Sequence, residues 1–319
     1  MVTQKLPGKI ILFVAIFFLV DHLLGSVIER YGLSHNERTV RNIYQQKERL
    51  DILFVGSSHT YSAVDPRVFS ESNLKTMNLG LATAGPVYYK YMIRAFLDHN
   101  AKPGMLVIEA AYQDFTNKSD NLSYGYFIYL DLRNRLAYYL DNKDYRSFFI
   151  SLSRTLVNRD IFFSAIDVYL GKTVKMPWDN GFIYTEGTLE NDRTLSDELA
   201  NYHNYFKEDP NHLLEEKFRI FSEILSSLRK SGIEVIVIDI PEYHVLKDDP
   251  SYQPLRMRFT ERIGDIAGRY GYPFLDFNAI ESCAELRKNR KLFRSVDHLN
   301  WRGGGIFSGI LRDALKKPS

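Results

Sequence analysis

Cysteine is nearly absent from this chain of 319 residues, where Cys283 stands alone. One thiol excludes an internal disulfide and any cysteine-rich zinc site, and no motif around Cys283 marks a nucleophile. Net charge is nearly absent as well. Forty-one Lys and Arg against thirty-nine Asp and Glu leave +2, without the concentrated basic footprint of a nucleic-acid binder. No nucleic-acid partner is expected. The 19 glycines and 11 prolines are ordinary counts, which excludes collagen-like and low-complexity chains. A phosphate-loop lysine motif is missing. The run Gly80–Gly85 (GLATAG) has Ala where a second glycine would let a pyrophosphate approach, so a nucleotide-binding reading is weak. No cofactor is expected. No metal is expected either, because His203 and His212, though near acidic residues, lack tight ligand spacing.

What is present is a core. Hydrophobic residues make up 45% of the chain and aromatic residues 14%, enough to exclude a disordered polypeptide. Residues Ile10–Val20 are uncharged and apolar, Asp21 and His22 interrupt, and Leu23–Ile28 resume. The uninterrupted part is short for a bilayer span, but the stretch through Ile28 is close to the required ~20 residues. Lys5 and Lys9 precede it and place that side in the cytoplasm. Residues 1–28 are therefore read as a signal-anchor transmembrane helix, with the rest of the chain extracytoplasmic. A cleaved signal peptide lacks a suitable small-residue site, and a buried soluble helix is the remaining alternative. Asp21 is either a contact for a membrane partner or a carboxylate snorkelling to the interface.

Residues 29–50 form a polar, helix-prone linker. From residue 51 on, short apolar runs alternate with amphipathic segments. Strands are predicted at Asp51–Gly56, Thr76–Gly80, Met105–Ala110, Ile233–Pro241 and Tyr272–Phe277, because buried parallel strands read as continuous apolar runs. Helices are predicted over Pro86–His99, around Leu214–Leu228 and Leu255–Ile266, and at Ile306–Leu315, from 3- and 4-residue apolar spacing. Such alternation makes an α/β fold, a three-layer sandwich with a central parallel sheet of flavodoxin-like type. The alternation lapses between about 114 and 210. That stretch, with Tyr124, Tyr126, Phe127, Tyr129, Tyr138, Tyr139, Phe148 and Phe149, reads as a mainly helical insertion into a domain spanning 51–319. It is either a packed lid or a sugar-stacking platform.

In a parallel sheet, ligands sit beyond the carboxyl ends of the strands. The first strand ends in Gly56-Ser57-Ser58-His59 and exposes a serine hydroxyl there; a nearby base must activate it. The second ends in Asn78-Leu79-Gly80, where a glycine lets backbone N–H approach an oxyanion. The base is sought in Asp297-His298-Leu299-Asn300, which leads through Gly303-Gly304-Gly305 into the last helix. Asn300 is expected to cap that helix. His59 is expected to point away from the pocket or to contact substrate.

The segments Ile52–Pro66 (ILFVGSSHTYSAVDP), Met77–Pro86 (MNLGLATAGP) and Asp297–Gly304 (DHLNWRGG) resemble the SGNH/GDSL-type hydrolases. More narrowly, the chain resembles the membrane-anchored branch acting on bacterial cell-envelope polymers, including the DltD-like and alginate-O-acetylation-like proteins. It covers roughly 50–113 and 230–316. The resemblance implies Ser58 as nucleophile, His298 as general base, and the N–H groups of Ser58 and Gly80 as oxyanion donors. This chain departs from the pattern in three places. Ser57 stands where Asp is common. Ser295 stands three positions before His298, where the family carries the orienting Asp; Asp297 is adjacent instead. Neighbouring side chains ordinarily diverge, which leaves the orienting acid open between Asp297 and Asp276. The family's third-block Asn is missing, since the third strand leads into Glu109-Ala110-Ala111-Tyr112-Gln113.

The expected function is that of an anchored, extracytoplasmic serine acyl-esterase or O-acyltransferase. Its partner would be an envelope polysaccharide or other acylated glycan, and the resemblance implies a membrane-embedded acyltransferase partner as well. The alternative is a non-catalytic binding or scaffold protein of an envelope polysaccharide assembly, keeping the fold without the chemistry.

Overall fold

The computed structural model describes residues 6–32, 35–117, 119, 129–143, 145–157, 162–172, 178–208 and 213–316. These fall into two compact units. One comprises Met1–Arg38 with Tyr124–Met176, the other Thr39–Ser123 with Pro177–Ser319. The break in the α/β alternation is thus divided between them.

The first unit is helical. Helix α1 (Leu6–Gly32) carries the apolar run. Its stretch Gly8–Ile28 has a mean hydropathy of 2.4 and is long and apolar enough to cross a membrane. After α2 (His35–Asn42), which runs into the second unit, come the helices of the lapse in alternation. They are α6 (Leu132–Asp141), α7 (Tyr145–Ile150), α8 (Arg154–Val157) and α9 (Phe162–Tyr169). Helices α8 and α9 pack along α1. Asp21 is not a snorkelling group: it is buried. Its Oδ1 accepts from Ser153 Oγ at 2.6 Å and Thr155 N at 3.1 Å, and its carbonyl accepts from Thr155 Oγ1 at 3.2 Å. Tyr124, Tyr126 and Phe127 lie outside the described residues.

The second unit is the α/β domain. Strands β1 (Ile52–Gly56), β2 (Thr76–Gly80), β3 (Met105–Glu109), β6 (Glu234–Asp239) and β7 (Phe274–Asp276) form one parallel sheet, in the order β2-β1-β3-β6-β7. A short antiparallel pair, β4 (Trp178–Asp179) and β5 (Phe182–Ile183), stands apart. All five predicted strands are present within a few residues of their expected ends. They are mainly apolar because helices cover both faces: α5 (Pro86–His99), α11 (Glu215–Ser231) and α12 (Gln253–Arg269) pack together on one side. On the other, α14 (Trp301–Leu315) packs on α3 (Ser58–Ala63), α4 (Pro66–Ser70) and α13 (Ala284–Lys288). Helix α10 (Asp192–Glu208) belongs to this unit too.

The strand order reverses between β1 and β3. Chain leaving β1 turns toward β2, and chain leaving β3 goes the other way, toward β6. In open α/β sheets this switch point leaves a crevice at the carboxyl ends. Ser58 opens the helix that follows β1 and so sits at its edge.

Candidate active site

Helix α3 begins where β1 ends, with Gly56 at the junction. A Cβ there would lie 1.9 Å from Thr60 Oγ1 and 2.3 Å from Glu109 Oε2, so only glycine leaves room for the carboxylate behind the turn. Glu109, the last residue of β3, fills that space. Its Oε2 accepts from Ser57 N at 2.8 Å, Thr60 N at 3.1 Å and Thr60 Oγ1 at 2.5 Å. Oε1 accepts from Ser57 Oγ at 3.1 Å and lies 3.1 Å from His59 Nδ1. The carboxylate thereby satisfies N–H groups that a helix start leaves orphaned. The Ser58 N–H, the first of the helix, has no acceptor among the described residues.

The second side chain arrives from the turn before α14. Asn300 caps that helix as expected, accepting from Arg302 N and Gly303 N at 3.1 Å each. Gly304 lets the helix close on α3, since a Cβ there would lie 2.3 Å from Ser62 O. The result is direct contact: Ser58 Oγ and His298 Nε2 are 2.7 Å apart, across 240 positions of sequence. Ser58 is partly accessible, and the His298 side chain is 15% exposed.

Adjacent Asp297 and His298 do not diverge. The chain curls through Ser295–His298, with His298 N donating to Ser295 O at 3.3 Å and Arg294 N to His298 O at 3.0 Å. This brings Asp297 Oδ1 to 2.7 Å from His298 Nδ1. Ser295, in the position where an orienting acid was sought, donates its hydroxyl to Asp297 Oδ1 at 2.7 Å and lies 3.1 Å from His298 Nδ1. Helix α10 holds the curl, as Glu198 Oε2 accepts from Val296 N at 2.8 Å. Asp276 is elsewhere, engaged with Arg256 at 2.7 Å, and is not the orienting acid.

His59 differs from both of its expected roles. It is buried, and its ring stacks on that of His298 with centroids 4.2 Å apart and planes 22° apart. Its Nδ1 faces Glu109, and its Nε2 lies 3.5 Å from Asp297 Oδ2, an ion-pair contact. It reaches the site through His298 and Asp297, not as a surface for substrate.

Gly80 also departs from its expected role. Its N–H donates to Asn78 Oδ1 at 2.8 Å, inside the sheet. A donor spent on a buried side chain is not available to an oxyanion. Asn78 is the cause: its Nδ2 also donates to Thr60 O at 2.9 Å and Val64 O at 2.8 Å, pinning α3 to β2. The glycine serves packing instead, because a Cβ at Gly80 would come within 2.5 Å of Tyr61 N.

The buried groups set one another's charge. Burial lowers the affinity of His59 for its second proton, but hydrogen bonds and charge from Asp297 and Glu109 outweigh it and hold the imidazole well above its usual value. Burial pushes Asp297 up, but the charge and hydrogen bond of His298, with those of His59, bring it well below the usual carboxylate range. Glu109 is lowered too: burial opposes ionisation, and His59, Thr60 and the Ser57 N–H overcome it. His298 goes the other way. Burial lowers it, Asp297 opposes, and the charge of His59 adds to the lowering. Behind Glu109, Asp114 is raised well above its usual value by burial and by the Glu109 charge; its Oδ2 accepts from Tyr89 OH at 2.8 Å and Ala111 N at 3.1 Å. At neutral pH these directions favour anionic Glu109 and Asp297 on either side of a cationic His59, with His298 neutral beside Ser58.

The ligand atoms of His59, Asp297 and His298 lie within 4.8 Å of one another, as do those of His59, Glu109 and Asp114. A cation there would compete with the His59 imidazolium for both carboxylates. Of the two histidines set aside as metal ligands, His203 lies 3.0 Å from Ser251 Oγ, and His212 is outside the described residues. A groove of about 1070 Å³ along β6 and β7, lined by Tyr272, Pro273, Leu275 and Ile310 among others, holds none of the site side chains.

No family model and no curated protein matches the chain. Solved structures do. The chain is similar to a protein from Streptococcus pneumonia named for platelet activating factor, at 11% identity and a TM-score of 0.47, covering 93% of this chain and 98% of that one. It is similar to an acetylxylan esterase from Geobacillus stearothermophilus, at 11% identity and 0.42, covering 84% and 95%. It is also similar to a GDSL-like lipase from Bacteroides thetaiotaomicron, at 11% identity and 0.40, covering 88% and 97%. Likeness of this order leaves the chemistry to be read from the side chains of this chain.

Proposed function

We propose that this chain is a membrane-anchored, extracytoplasmic serine esterase or O-acyltransferase acting on an envelope glycan through an acyl-serine intermediate. One observation carries the chemistry. Ser58 Oγ is 2.7 Å from His298 Nε2, and His298 Nδ1 is 2.7 Å from Asp297 Oδ1. Nucleophile, base and orienting acid are in hydrogen-bond register. The neutral imidazole that burial and His59 favour is the form able to accept a proton. The anchoring is supported by the apolar stretch Gly8–Ile28. The glycan, and a membrane-embedded acyltransferase as partner, are supported by the sequence resemblance.

Asp297 holds the His298 Nδ1–H, so Nε2 presents its lone pair to Ser58. As the Ser58 oxygen bonds to the ester carbonyl carbon, its proton passes to Nε2. The Ser58 N–H, without an acceptor among the described residues, donates in this reading to the developing oxyanion, a contribution of about 3 kcal/mol for one such donor. Collapse breaks the bond to the leaving alcohol, which takes the proton from Nε2. Water or a sugar hydroxyl then attacks the acyl-serine, giving its proton to Nε2, and Ser58 is restored. Water as acceptor makes an esterase, a sugar hydroxyl an O-acyltransferase.

One observation favours the alternative of a non-catalytic scaffold. Of the two backbone donors sought for the oxyanion, the Gly80 N–H is already spent on Asn78. The two readings separate on turnover of p-nitrophenyl acetate by the full chain in detergent, with and without an oligosaccharide acceptor. A serine enzyme of this kind loses on the order of 10⁶-fold in kcat when its nucleophile is removed, the scale expected for Ser58→Ala. Equal, slow hydrolysis by wild type and Ser58→Ala under both conditions refutes the enzyme and leaves the scaffold.

A further inference from the structure

Helix α1 does not run alone through its apolar length. With a rise of about 1.5 Å per residue, Asp21 lies about 10 Å along the helix from Ile28, the end of the apolar stretch. Placed across a hydrocarbon core of about 30 Å, that position is well inside one leaflet. A bare carboxylate is costly there. The one at Asp21 is met by Ser153 Oγ and Thr155 N, and Thr155 Oγ1 meets the Asp21 carbonyl. Ser153 and Thr155 must therefore sit at the same depth. The turn between α7 and α8 meets part of its own polar demand at that depth, since Ser151 Oγ donates to Phe148 O and Ser153 Oγ accepts from Leu156 N, while Arg135 Nη1 of α6 donates to Ser151 O at 3.5 Å. Helix α9 also packs along α1, with Ala165 buried. Apolar side chains dominate the faces turned outward, beside the Asp167 carboxylate, which lies 3.9 Å from Lys172 Nζ at the end of α9. Phe149, Leu152, Leu156, Phe163 and Tyr169 are 67%, 49%, 52%, 74% and 69% exposed.

We propose that helices α7 to α9 enter the membrane beside α1, as a re-entrant wedge in the leaflet that receives the C-terminal half of α1. Phe149, Leu152, Leu156 and Phe163 then contact lipid acyl chains. The inference rests on reading α1 as a membrane span. The occupant is lipid because the Asp21 hydrogen bonds fix the depth of the turn, and α8 and α9, which pack along α1, carry exposed apolar side chains as α1 does.

The test uses the full chain, whose single native cysteine is buried, reconstituted in phosphatidylcholine–phosphatidylglycerol vesicles. Phe149→Cys and Phe163→Cys carry an environment-sensitive fluorophore, beside Leu12→Cys on α1 and Met257→Cys, an exposed position on the α/β domain. Bromine-bearing lipids then report acyl-chain contact, and aqueous iodide reports solvent. The expected result is lipid quenching at 149 and 163 comparable to that at 12 and several-fold above that at 257. Lipid quenching at 12 with iodide quenching at 149 and 163 overturns the wedge and leaves the anchor standing. Shielding of 149 and 163 from both quenchers means a protein covers them, and overturns it as well. Iodide quenching at all four positions removes the anchor, and the wedge with it.

Discussion

Replacing His59 by Gln removes the positive charge stacked on His298 and leaves an amide able to hydrogen-bond Glu109 or Asp297. Two unit charges separated by the 4.2 Å between the ring centroids repel by about 4 kcal/mol at an effective dielectric near 20. Burial is the larger force keeping His298 neutral; this repulsion adds to it, and Asp297 opposes both. A general base must be neutral to take the Ser58 proton. In the wild type, the acid limb of kcat/KM therefore lies below the ordinary histidine range. In His59→Gln it moves to higher pH. Turnover at pH 6 falls by about tenfold or more, the equivalent of ~1.4 kcal/mol, while turnover at pH 9 stays close to wild type. The assay is a pH profile of ester hydrolysis from pH 5 to 9.5, with a thermal melt at each pH to confirm folding. An acid limb that stays in place or moves to lower pH refutes the idea that the His59 charge governs His298.

Asp297→Asn preserves shape but turns the His298 tautomer, and kcat should drop by about 10³- to 10⁴-fold with an unchanged circular-dichroism spectrum; a drop under tenfold contradicts the orienting role. Glu109→Gln leaves the buried His59 without one carboxylate and costs about 3 kcal/mol, read as a lower Tm and urea midpoint; an unchanged melt contradicts its place behind the turn. Stability should also fall toward both extremes of pH. Glu109 and Asp297 have lowered values in the fold, so their contributions are present above the ordinary carboxylate range and fade as pH drops through the lowered values. His59 has a raised value, so its contribution is full below the ordinary histidine value and fades as pH climbs through the raised one. A Tm that rises steadily from pH 6 to pH 10 would contradict the imidazolium assignment.

The parts of the site legible in the sequence are those fixed by local pattern. Ser58 follows an apolar run that ends in glycine, His298 precedes a glycine-rich helix start, and the carboxyl-end rule sends both to one rim. The parts that were not legible depend on pairings across the chain. Gly80 looked like a free donor, because nothing local shows that the Asn78 side chain curls back onto its N–H. Asp297 stayed ambiguous because its convergence with His298 depends on a turn held by Glu198, 98 residues away in sequence. Glu109 carried no signal at all: a carboxylate closing a strand reads as an ordinary surface residue until β3 is known to lie beside β1. The family motif carries an Asn in this block and so assigns no role to the acid present. Likewise, the aromatic stretch after residue 123 offered a lid or a sugar platform, whereas its described helices, by the Ser153 and Thr155 hydrogen bonds, belong beside α1.

Ser58 is the point on which the enzymatic reading turns. A fluorophosphonate probe reacts only with a serine whose hydroxyl is activated by a neighbouring base, and it needs neither the natural acyl group nor the acceptor. Full-length protein treated with the probe and digested for mass spectrometry should carry the label on the peptide containing Ser58. Labelling should vanish in Ser58→Ala and fall sharply in His298→Gln. Wild-type protein that stays unlabelled while its fold is intact, or a label that persists in Ser58→Ala, would contradict the assignment of Ser58 as nucleophile.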